Sequence, residues 1–312
     1  MKQSGSARRQ RGVALIVAVL VLALASLILL SLLDTGELAQ ARTRNQLRAE
    51  QSWQLQLGLE AWAAQILRED ARLEPNVDSA QDLWAQPLPP LDVPGGRISG
   101  RLRELGGCFN VNGLLREGEP QTRELERFER LLRVLGVNPL VATQALDWID
   151  ADLQASPGGA EDGQHAGLSP PRRTANRPMA HVSELRLLPG LDADAWRRLQ
   201  PHVCALPEPT PTNLNTASVE LWMSLQEGIS QRQAELLWRQ GNARYRDLGE
   251  VSSELERLGL PPLEPAAAVS VSTGWFVLEA DILLDDLPFA YSSLLRRAPE
   301  GVTAVARSRG RL

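Results

Sequence analysis

Residues 13–33 read VALIVAVLVLALASLILLSLL, a run of 21 residues without a charge, a proline or a glycine. At about 1.5 Å per helical residue, this run reaches about 30 Å, the thickness of the hydrocarbon core of a bilayer. It follows a leader, residues 1–12, that carries four cations and ends in Gly12. The stretch therefore predicts a membrane-spanning helix behind a basic leader.

The charge of the leader predicts the orientation of the helix, because lysine and arginine beside a first span remain in the cytoplasm. Everything after Asp34 then lies outside. A signal peptide is the main alternative, but its apolar core would measure about 7–15 residues and close on a small-residue cleavage site. The helical pattern instead continues to about Asp70 without a proline. We expect a single helix, half in lipid and half in water.

A short basic leader that ends in glycine before a hydrophobic helix resembles the type IV prepilins and the pseudopilins of type II secretion. The resemblance implies that a prepilin peptidase cuts after Gly12 and methylates the new amino terminus at Val13. Most members carry a glutamate five residues into the mature chain, where this sequence has Val17. The large minor pseudopilin known as the K subunit lacks that acid. A carboxylate in lipid needs a partner, and a subunit that is first in line has none above it.

Composition argues against a nucleic-acid binder. The chain has 312 residues and a net charge of −5, and the mature chain is more acidic because the leader holds four cations and no acid. An acidic surface is repelled by the phosphate backbone. The two cysteines, Cys108 and Cys204, could form a disulfide in an oxidising compartment or remain buried free thiols, and both interpretations stay open.

The pattern after the long helix changes from strands to helices and back to strands. An apolar stripe over 38–67 would pack on a sheet, prolines from Pro75 to Pro94 predict an irregular connection, and 97–104 with 108–112 predict a hairpin on the helix. Further expected elements are helices at 124–135, 139–150, 216–225 (with Thr216 as its N-cap) and 231–240, and strands within 266–281, 289–297 and 302–307. Strands on both sides of the helices predict an α+β body with an inserted helical domain.

By resemblance, the fold is α+β, with a long N-terminal pilin-type transmembrane helix packed on a small antiparallel sheet. The expected parts are the leader 1–12, the transmembrane and assembly helix 13–70, the first part of the pilin-like body 71–112, an inserted α-helical domain 113–265 and C-terminal strands 266–312. The insert would hold two SAM-like or helix-hairpin-helix-like units, 113–206 and 213–265. A disulfide between Cys108 and Cys204 would clamp the root of the insert and contribute roughly 4–5 kcal/mol.

Five acids lie within sixteen residues, around a turn formed by Pro157, Gly158 and Gly159. They are Asp147, Asp150, Asp152, Glu161 and Asp162. Calcium prefers six to eight oxygen ligands from carboxylates, amides and carbonyls on a flexible loop. The spacing of histidine and cysteine does not suggest zinc. The residues alone leave two interpretations open, a solvated acidic loop and a calcium site.

The same region carries the signature of the K-type minor pseudopilins. It consists of Asp147-Trp148-Ile149-Asp150-Ala151-Asp152, Gly159-Ala160-Glu161-Asp162, Ala175-Asn176-Arg177-Pro178 and Ser183-Glu184-Leu185, after an earlier Phe109-Asn110-Val111-Asn112. The resemblance implies structural calcium in the helical domain, with Asp150, Asp152, Glu161 and Asp162 as ligands and with Asn176 and Asp147 as weaker candidates. His165 would pack rather than bind the ion.

Two other functions are less consistent with the residues than this assignment is. The stretch from Asn213 to Ala217, followed by Gly228-Ile229, resembles the helix-hairpin-helix of membrane-anchored receptors that bind DNA for uptake, but Glu227 and Glu235 flank it where phosphate binding needs cations. An enzyme is not expected, because the acids cluster in one loop instead of facing each other across a cleft. Neither function fits as well as an assembly protein.

We therefore expect a K-type minor pseudopilin of type II secretion. By resemblance, it would be anchored once in the bacterial inner membrane with its body in the periplasm, and it would cap the tip of the pseudopilus. Its partners would be the I-type and J-type minor pseudopilins, the prepilin peptidase and the inner-membrane assembly platform, and no nucleic acid. The tip complex would start the filament that drives folded proteins through the outer membrane.

Overall fold

The computed structural model describes residues 6–264 and 268–310, with the side chains of 6–12 and 32–35 excepted. The helices are α1 (Ser6–Leu73), α2 (Thr122–Val134), α3 (Leu140–Ile149), α4 (Asp162–Ala166), α5 (Ala193–Leu199), α6 (Val219–Leu225), α7 (Gln231–Trp238) and α8 (Leu248–Arg257). The strands are β1 (Leu88–Val93), β2 (Gly96–Glu104), β3 (Phe109–Asn110), β4 (Leu115–Arg116), β5 (Glu119–Pro120), β6 (Val203–Cys204), β7 (Thr212–Asn213), β8 (Val269–Ser270), β9 (Trp275–Leu284), β10 (Leu287–Ala298) and β11 (Gly301–Arg309). Strands thus lie before and after most of the helices, and the predicted α+β fold class is confirmed.

The long helix α1 has two halves with different surroundings. Its apolar stretch from Val13 is long enough to cross a membrane. The most hydrophobic part of this stretch is not buried inside the protein. In the second half, Leu59, Ala63 and Leu67 are at most 3% exposed and face the sheet at four-residue intervals. The predicted stripe is therefore confirmed from Leu55 onward, since Leu55 also packs against this core, whereas Leu38 is 59% exposed.

The sheet against α1 has five antiparallel strands in the order β1-β2-β9-β10-β11. Its first two strands precede the helical region in sequence and its last three follow it, so β2 pairs with β9 across a gap of about 170 residues in the chain. Apolar residues of α1, the sheet and the short 3₁₀ helix Leu83–Ala85 form one core, which includes Trp84, Phe276, Leu278 and Ile282. We call it the helix–sheet core.

The predicted hairpin of 97–104 with 108–112 is wrong. Strand β2 pairs with β1 and β9 instead, and β3 pairs in parallel with β6. The chain leaves the sheet after Glu104, whose carboxylate accepts hydrogen bonds from the backbone N–H groups of Gly106 at 2.6 Å and Gly107 at 2.8 Å. This turn redirects the chain toward the helices.

Strand β1 falls in the stretch that was expected to be irregular. It contains Pro89 and Pro90, which cannot donate to a ladder and therefore favour a loop prediction. At the edge of a sheet, however, a residue without an N–H can face solvent at no cost. The strand is tolerated because it lies outermost, and it pairs with β2 through a register shift between Leu88 and Leu91.

The region between β3 and β8 is mainly helical and has its own core. Phe109, Phe128, Trp148, Trp222 and Tyr245 are among the buried residues of this second core, which we call the insert core. The helices expected near 124–135, 139–150 and 231–240 are present, and α8 was not predicted. The predicted domain bounds 113–265, 113–206 and 213–265 remain predictions.

The N-cap prediction for Thr216 is wrong by two residues. Helix α6 begins at Val219, and its N-cap is Ser218, whose hydroxyl accepts from the N–H of Leu221. Serine and threonine are both good caps, so sequence alone does not separate them. Thr216 instead lies beside Glu104, with which its side chain forms a hydrogen bond.

Two asparagine pairs, Asn110 with Asn112 and Asn213 with Asn215, repeat the same local structure. Asn112 exchanges two hydrogen bonds with the backbone of Met179, at 2.8 and 3.0 Å. Asn215 does the same with Tyr245, at 2.6 and 3.0 Å. In both cases the side chain of the asparagine two residues earlier, Asn110 or Asn213, accepts from the N–H of the second asparagine. The two asparagine pairs therefore share one local bonding pattern.

A disulfide joins Cys108 to Cys204, with Cα atoms 5.8 Å apart. Both cysteines belong to a small apolar cluster with Leu206 and Trp275. The bond lies beside the parallel pair β3–β6, where the chain enters the helical region.

Candidate functional site

The acidic loop begins at the end of α3 and ends at the start of α4. Asp147 is on the last turn of α3 and is fully buried, and Asp150 is the C-cap of that helix. Glu161 is the N-cap of α4, where its side chain and that of Gln164 form a capping box. The end of α3 and the start of α4 thus hold these acids in place, whereas acids on an unstructured loop could move apart.

The structure brings three of the predicted ligands together. Asp150, Asp152 and Glu161 each place a carboxylate oxygen within 4.8 Å of the others. Like charges at this distance repel each other unless protons or a cation neutralise them. The cluster is therefore suited to a positively charged ion.

Four oxygens at this place are buried and have no hydrogen-bond partner within the part of the chain that the structure describes. They are Asp147 Oδ1, Asp150 Oδ1, Glu161 Oε1 and Asn176 Oδ1. A buried acceptor without a partner costs about 1–3 kcal/mol, and a charged one costs more. Three carboxylates and one amide oxygen are the donor set of a hard cation such as calcium. The residues present fit that ion.

Asn176 and Asp147 are held in place by the backbone around the cluster. Asn176 has a φ of 48°, a conformation that asparagine tolerates, and its Nδ2 donates to the carbonyl of Asp152 at 2.9 Å. The Oδ2 atom of Asp147 accepts from the N–H of Ser156 at 3.1 Å. Each side chain uses one polar atom as an anchor and leaves the other unpaired, so both weaker candidates fit the site.

Asp162 lies apart from the group. Its Oδ1 accepts from the N–H of Thr174 at 2.9 Å and lies 3.0 Å from the Thr174 hydroxyl. Thr174 Oγ1 also donates to Glu161 Oε2 at 2.9 Å. The geometry favours a bracing role for Asp162 over a ligand role. Thr174 is not among the predicted site residues, although it lies two residues before Asn176.

The pKa values follow this division. Burial, followed by the charges of Asp152, Asp147 and Glu161, raises the pKa of Asp150 to about 7. Burial is also the main cause that raises the pKa of Glu161, against the hydrogen bond from Thr174. The pKa of Asp162 is lowered because the N–H and hydroxyl of Thr174 bond its charged form. No positive charge stabilises the ionised forms of Asp150 and Glu161 among the causes of their shifts, whereas Thr174 already stabilises that of Asp162.

Neighbouring residues explain other parts of the signature. Glu184 accepts from Trp148 Nε1 at 3.0 Å and from the N–H of Ala180 at 2.7 Å, which ties α3 to the segment after the loop. His165 is fully buried with its ring 5.2 Å from that of Trp148, in agreement with a packing role. A Cβ at Gly159 would lie 1.9 Å from Asp147 Oδ2, so the backbone must approach this carboxylate closely.

A second acidic cluster has a different character. Asp70, Asp78 and Asp82 also lie within 4.8 Å of one another, but two arginines form ion pairs with them. Arg297 lies 3.0 Å from Asp70 Oδ2 and 2.5 Å from Asp78 Oδ2, and Arg244 lies 2.6 Å from Asp82 Oδ1. This cluster is a salt-bridge network that ties the end of α1 to β10 and to the helical region.

Comparisons with known proteins agree with the fold and the motifs. A profile of the family described as type II secretion system (T2SS), protein K, matches residues 107–208. A type II secretion system protein K of Pseudomonas aeruginosa is 36% identical and covers 97% of this chain and 94% of its own length. A type II secretion system protein K of Pectobacterium carotovorum is 34% identical, with 97% of both chains covered.

A solved structure is also similar. It is a chain of the GspK-GspI-GspJ complex from the type 2 secretion system of enterotoxigenic Escherichia coli, with a TM-score of 0.74 and 26% identity. The similarity covers 87% of this chain and 100% of that chain. By its sequence identity over nearly the whole length and by this shared architecture, the chain belongs to the type II secretion system protein K family.

Proposed function

We propose that the protein is a minor pseudopilin at the tip of the type II secretion pseudopilus, where it nucleates the filament together with I-type and J-type partners. The observation that carries the proposal is the similarity to a whole chain of a GspK-GspI-GspJ complex, with a TM-score of 0.74. The role is structural: the protein assembles with partners and performs no catalysis. The filament would then drive folded proteins across the outer membrane.

The first half of α1 supports the assembly role. Its apolar side chains from Val13 to Leu30 are exposed, as an anchor or an interface between subunits requires. The basic leader would keep the start of the chain in the cytoplasm, so the helix would cross the inner membrane once and leave the body in the periplasm. Val17 in place of an acid suits a subunit with no neighbour above it.

Processing of the leader remains part of the proposal. A prepilin peptidase would cut after Gly12 and methylate Val13, and the mature subunit would meet the inner-membrane assembly platform. Residues 1–5 of the leader and the side chains of 6–12 lie outside the described part of the chain. Mass spectrometry of the purified chain tests this directly: a mature form that starts at an N-methylated Val13 supports it, and an intact leader in peptidase-containing cells contradicts it.

Assembly is tested by co-expression of the full chain with I-type and J-type minor pseudopilins in detergent. The proposal predicts a complex of all three proteins that co-elutes in size-exclusion chromatography, and loss of pseudopilus formation when the chain is deleted. Salt-dependent binding of duplex DNA by the isolated chain, with no complex formed, would instead favour the DNA-uptake alternative.

We also propose that calcium binds in the acidic loop, held by Asp150, Asp152, Glu161, Asn176 and Asp147. The four unpaired buried oxygens support this site. When bound, calcium neutralises the acids and joins the end of α3 to the start of α4. Its role would be to hold the loop against the helical region.

The calcium site is tested by thermal melting with calcium and with chelator. An ion that binds only the folded state adds about 2.7 kcal/mol at a hundredfold excess over Kd. We expect Asp150→Ala and Glu161→Ala to abolish the calcium response and Glu256→Ala, an exposed acid on α8, to retain it. Asp162→Ala should keep a response, since its carboxylate faces Thr174. No response in the unaltered protein would refute the site.

A further inference from the structure

Strand β11 forms an open edge of the five-stranded sheet. The strand order ends with it, and within the described part of the chain no strand pairs with its outer side. It has nine residues and is about 30 Å long. The opposite edge, β1, contains Pro89 and Pro90, which interrupt the row of donors that an added strand needs. Since β11 has no proline, it is the edge of this sheet that is better suited to pair with another strand.

Alternate residues of β11 direct their backbone groups away from β10. The N–H of Gly310 donates to the carbonyl of Ala290 at 2.8 Å, so these two residues form a hydrogen-bonded pair of the ladder. Such pairs alternate with pairs whose N–H and C=O groups point away from each other. Arg309 and Arg307 belong to the second kind and present these groups at the open edge. The Arg309 carbonyl accepts from the Ser308 hydroxyl at 3.2 Å but has a second lone pair.

The open edge is basic. Residues 301–312 contain three arginines and no acid, in a chain whose net charge is −5. Arg307 faces α1, where it pairs with Glu60 at 2.8 Å, and Arg309 lies on the same face and is exposed. Carboxylates on an added strand would lie beside these two cations, which favours pairing. A second copy of β11 would instead place arginine beside arginine, so the charge disfavours self-pairing.

The other face of the same edge borders a groove of about 610 Å³ with a mainly apolar lining. The groove is lined by Ala306 of β11, Leu294 of β10, Val277 of β9, and Trp196 and Pro201 of the helical region. Ala306 and Pro201 are exposed and Trp196 is half-buried, so the groove opens to the outside. On a strand beside β11, the residues that alternate with the carboxylates would point to this face. Apolar side chains suit these positions.

We propose that the open edge of β11 binds an extended segment of another polypeptide in which acidic residues alternate with apolar ones. The backbone of the segment would pair with Arg307 and Arg309, and its carboxylates would lie beside the two guanidinium groups. Its apolar side chains would reach the groove at Ala306. The site is separate from the proposed calcium loop and from the apolar half of α1, so its failure would leave both of those proposals standing.

The binding test uses the full chain in detergent with calcium present. The probe is a fluorescently labelled heptapeptide in which glutamate and valine alternate, and anisotropy measures its binding. One control peptide has lysine in place of glutamate, a second has the same residues with the glutamates grouped together, and a third is N-methylated at the two central glutamates. The third control keeps every charge but loses the N–H groups that would pair with β11.

We expect saturable binding of the alternating peptide and binding of each control that is weaker by roughly tenfold or more. Hydrogen exchange gives the location. The amides of Arg307 and Arg309 should exchange more slowly when the alternating peptide is bound, because a partner strand then covers them.

Matched variants test the edge directly. Arg309→Glu should weaken binding of the glutamate peptide by roughly tenfold and improve binding of the lysine peptide. Arg309→Pro removes an outward N–H, which an edge strand tolerates but an added strand needs, and should also weaken binding. Arg232→Glu, at an exposed arginine on α7, should bind as the unaltered chain does. The comparison with the N-methylated peptide uses the unaltered chain and stands even if a variant folds poorly.

Several results would overturn the proposal. The alternating peptide would fail to saturate, or its N-methylated form would bind equally well, in which case charge alone explains the binding. Unchanged binding in a folded Arg309→Glu protein would exclude this edge. A dimer of the chain in sedimentation that Arg309→Pro abolishes would assign the edge to a second copy instead.

Discussion

At the scale of single residues, Asn112 and Asn215 tie distant segments of the helical region together. The Nδ2 and Oδ1 atoms of Asn112 serve both polar groups of the Met179 backbone, and Nδ2 also donates to the carbonyl of Leu206 at 2.9 Å. Asn112 is 4% exposed, so water cannot replace these bonds. An amide side chain is needed because it alone offers a donor and an acceptor side by side.

Replacement of Asn112 by leucine should therefore be strongly destabilising. The change leaves the N–H and carbonyl of Met179 and the carbonyl of Leu206 unpaired, and we expect a loss of about 2–4 kcal/mol in the free energy of unfolding. Urea denaturation with calcium present measures the loss. Asn242→Leu, at an exposed asparagine, is the control and should change stability little. A loss for Asn112→Leu no larger than for the control would contradict the assigned role.

Gly159 offers a steric test of the acidic loop. A methyl group there would meet Asp147 Oδ2 at 1.9 Å, so Gly159→Ala must displace the carboxylate or the loop. We expect calcium affinity to fall by roughly tenfold or more, as measured by titration calorimetry. Gly163→Ala is the matched control, because nothing lies within 4 Å of its added Cβ. Equal affinity of the two variants would show that Asp147 does not belong to the site.

The candidate site was only partly predictable from residues. The acids and Asn176 could be identified because oxygen-rich side chains recur around glycines and within a recognisable signature. The separation of Asp162 from Asp150, Asp152 and Glu161 could not, since it depends on the position of Thr174, whose two contacts come from a different segment. Adjacent acids in sequence can face different partners once one of them caps a helix.

At the scale of elements, α1 contacts the sheet through polar side chains as well as through apolar ones. Ser52 and Tyr291 are joined at 2.7 Å, Gln56 donates to Ser293 at 2.8 Å, and Arg307 pairs with Glu60 at 2.8 Å. These α1 residues recur every four positions. Burial alone would raise the pKa of Glu60, but hydrogen bonds and the charge of Arg307 outweigh it and lower the pKa.

At the other end of this interface, the stability contributed by Asp70 should decrease as the pH rises, whereas the contribution of Glu60 decreases as the pH falls. Burial, then the charges of Asp82 and Asp78, raises the pKa of Asp70 to about 6, against the effect of Arg297. A raised pKa means that the folded state holds the proton more tightly than the unfolded chain. The stability from this group is therefore fully present below about pH 4 and is lost as the pH rises through about 6.

Asp70→Asn removes this titration and provides the test. Between pH 4 and pH 7, the unaltered chain should lose up to about 3 kcal/mol relative to Asp70→Asn. Urea denaturation across this pH range measures the difference. Asp92→Asn, at a carboxylate with a side chain 90% exposed, should follow the unaltered chain. A gain of the unaltered chain over Asp70→Asn with rising pH would show that the pair with Arg297 dominates.

Elements with a clear period were predictable, and elements defined by distant partners were not. The long helix and strands β9 to β11 follow from hydrophobic spacing. Strand β1 was not predicted, because its prolines are compatible with a strand only at the edge of a sheet. Whether a strand lies at an edge depends on the whole sheet. The pairing of β3 with β6 was not predicted for a related reason, since parallel strands are brought together by the elements between them.

At the scale of the whole molecule, two cores meet at one junction. The helix–sheet core and the insert core are separate clusters, and a small third cluster around Cys204, Leu206 and Trp275 lies with the disulfide. Arg244 makes a further connection, because it extends from the helical region to Ser79 at 2.9 Å and to Asp82 at 2.6 Å. The disulfide and the bonds of Arg244 thus both couple α1 and the sheet to the helical region.

The disulfide should therefore decide whether the molecule unfolds in one step or two. It closes a loop with a sequence separation of 96, and removal of a native disulfide typically costs 2–5 kcal/mol. In Cys108→Ala/Cys204→Ala, we expect a loss of about 2–4 kcal/mol that is confined to the helical region. Hydrogen exchange should accelerate at Phe128 and Trp148, in the insert core, while amides around Leu59 and Leu67 keep their protection.

The reason lies in where each core obtains its contacts. Strands β2 and β9 pair along nine residues without help from the helical region, so the helix–sheet core can persist when the junction loosens. Among the described residues, the insert core has only two-stranded sheets, and it depends on the disulfide and on the asparagine bonds to stay closed. Exchange that accelerates equally in both cores would mean a single cooperative unit. In that case the cap and the filament helix would transmit strain to each other as one body, and the disulfide would contribute only to its total stability.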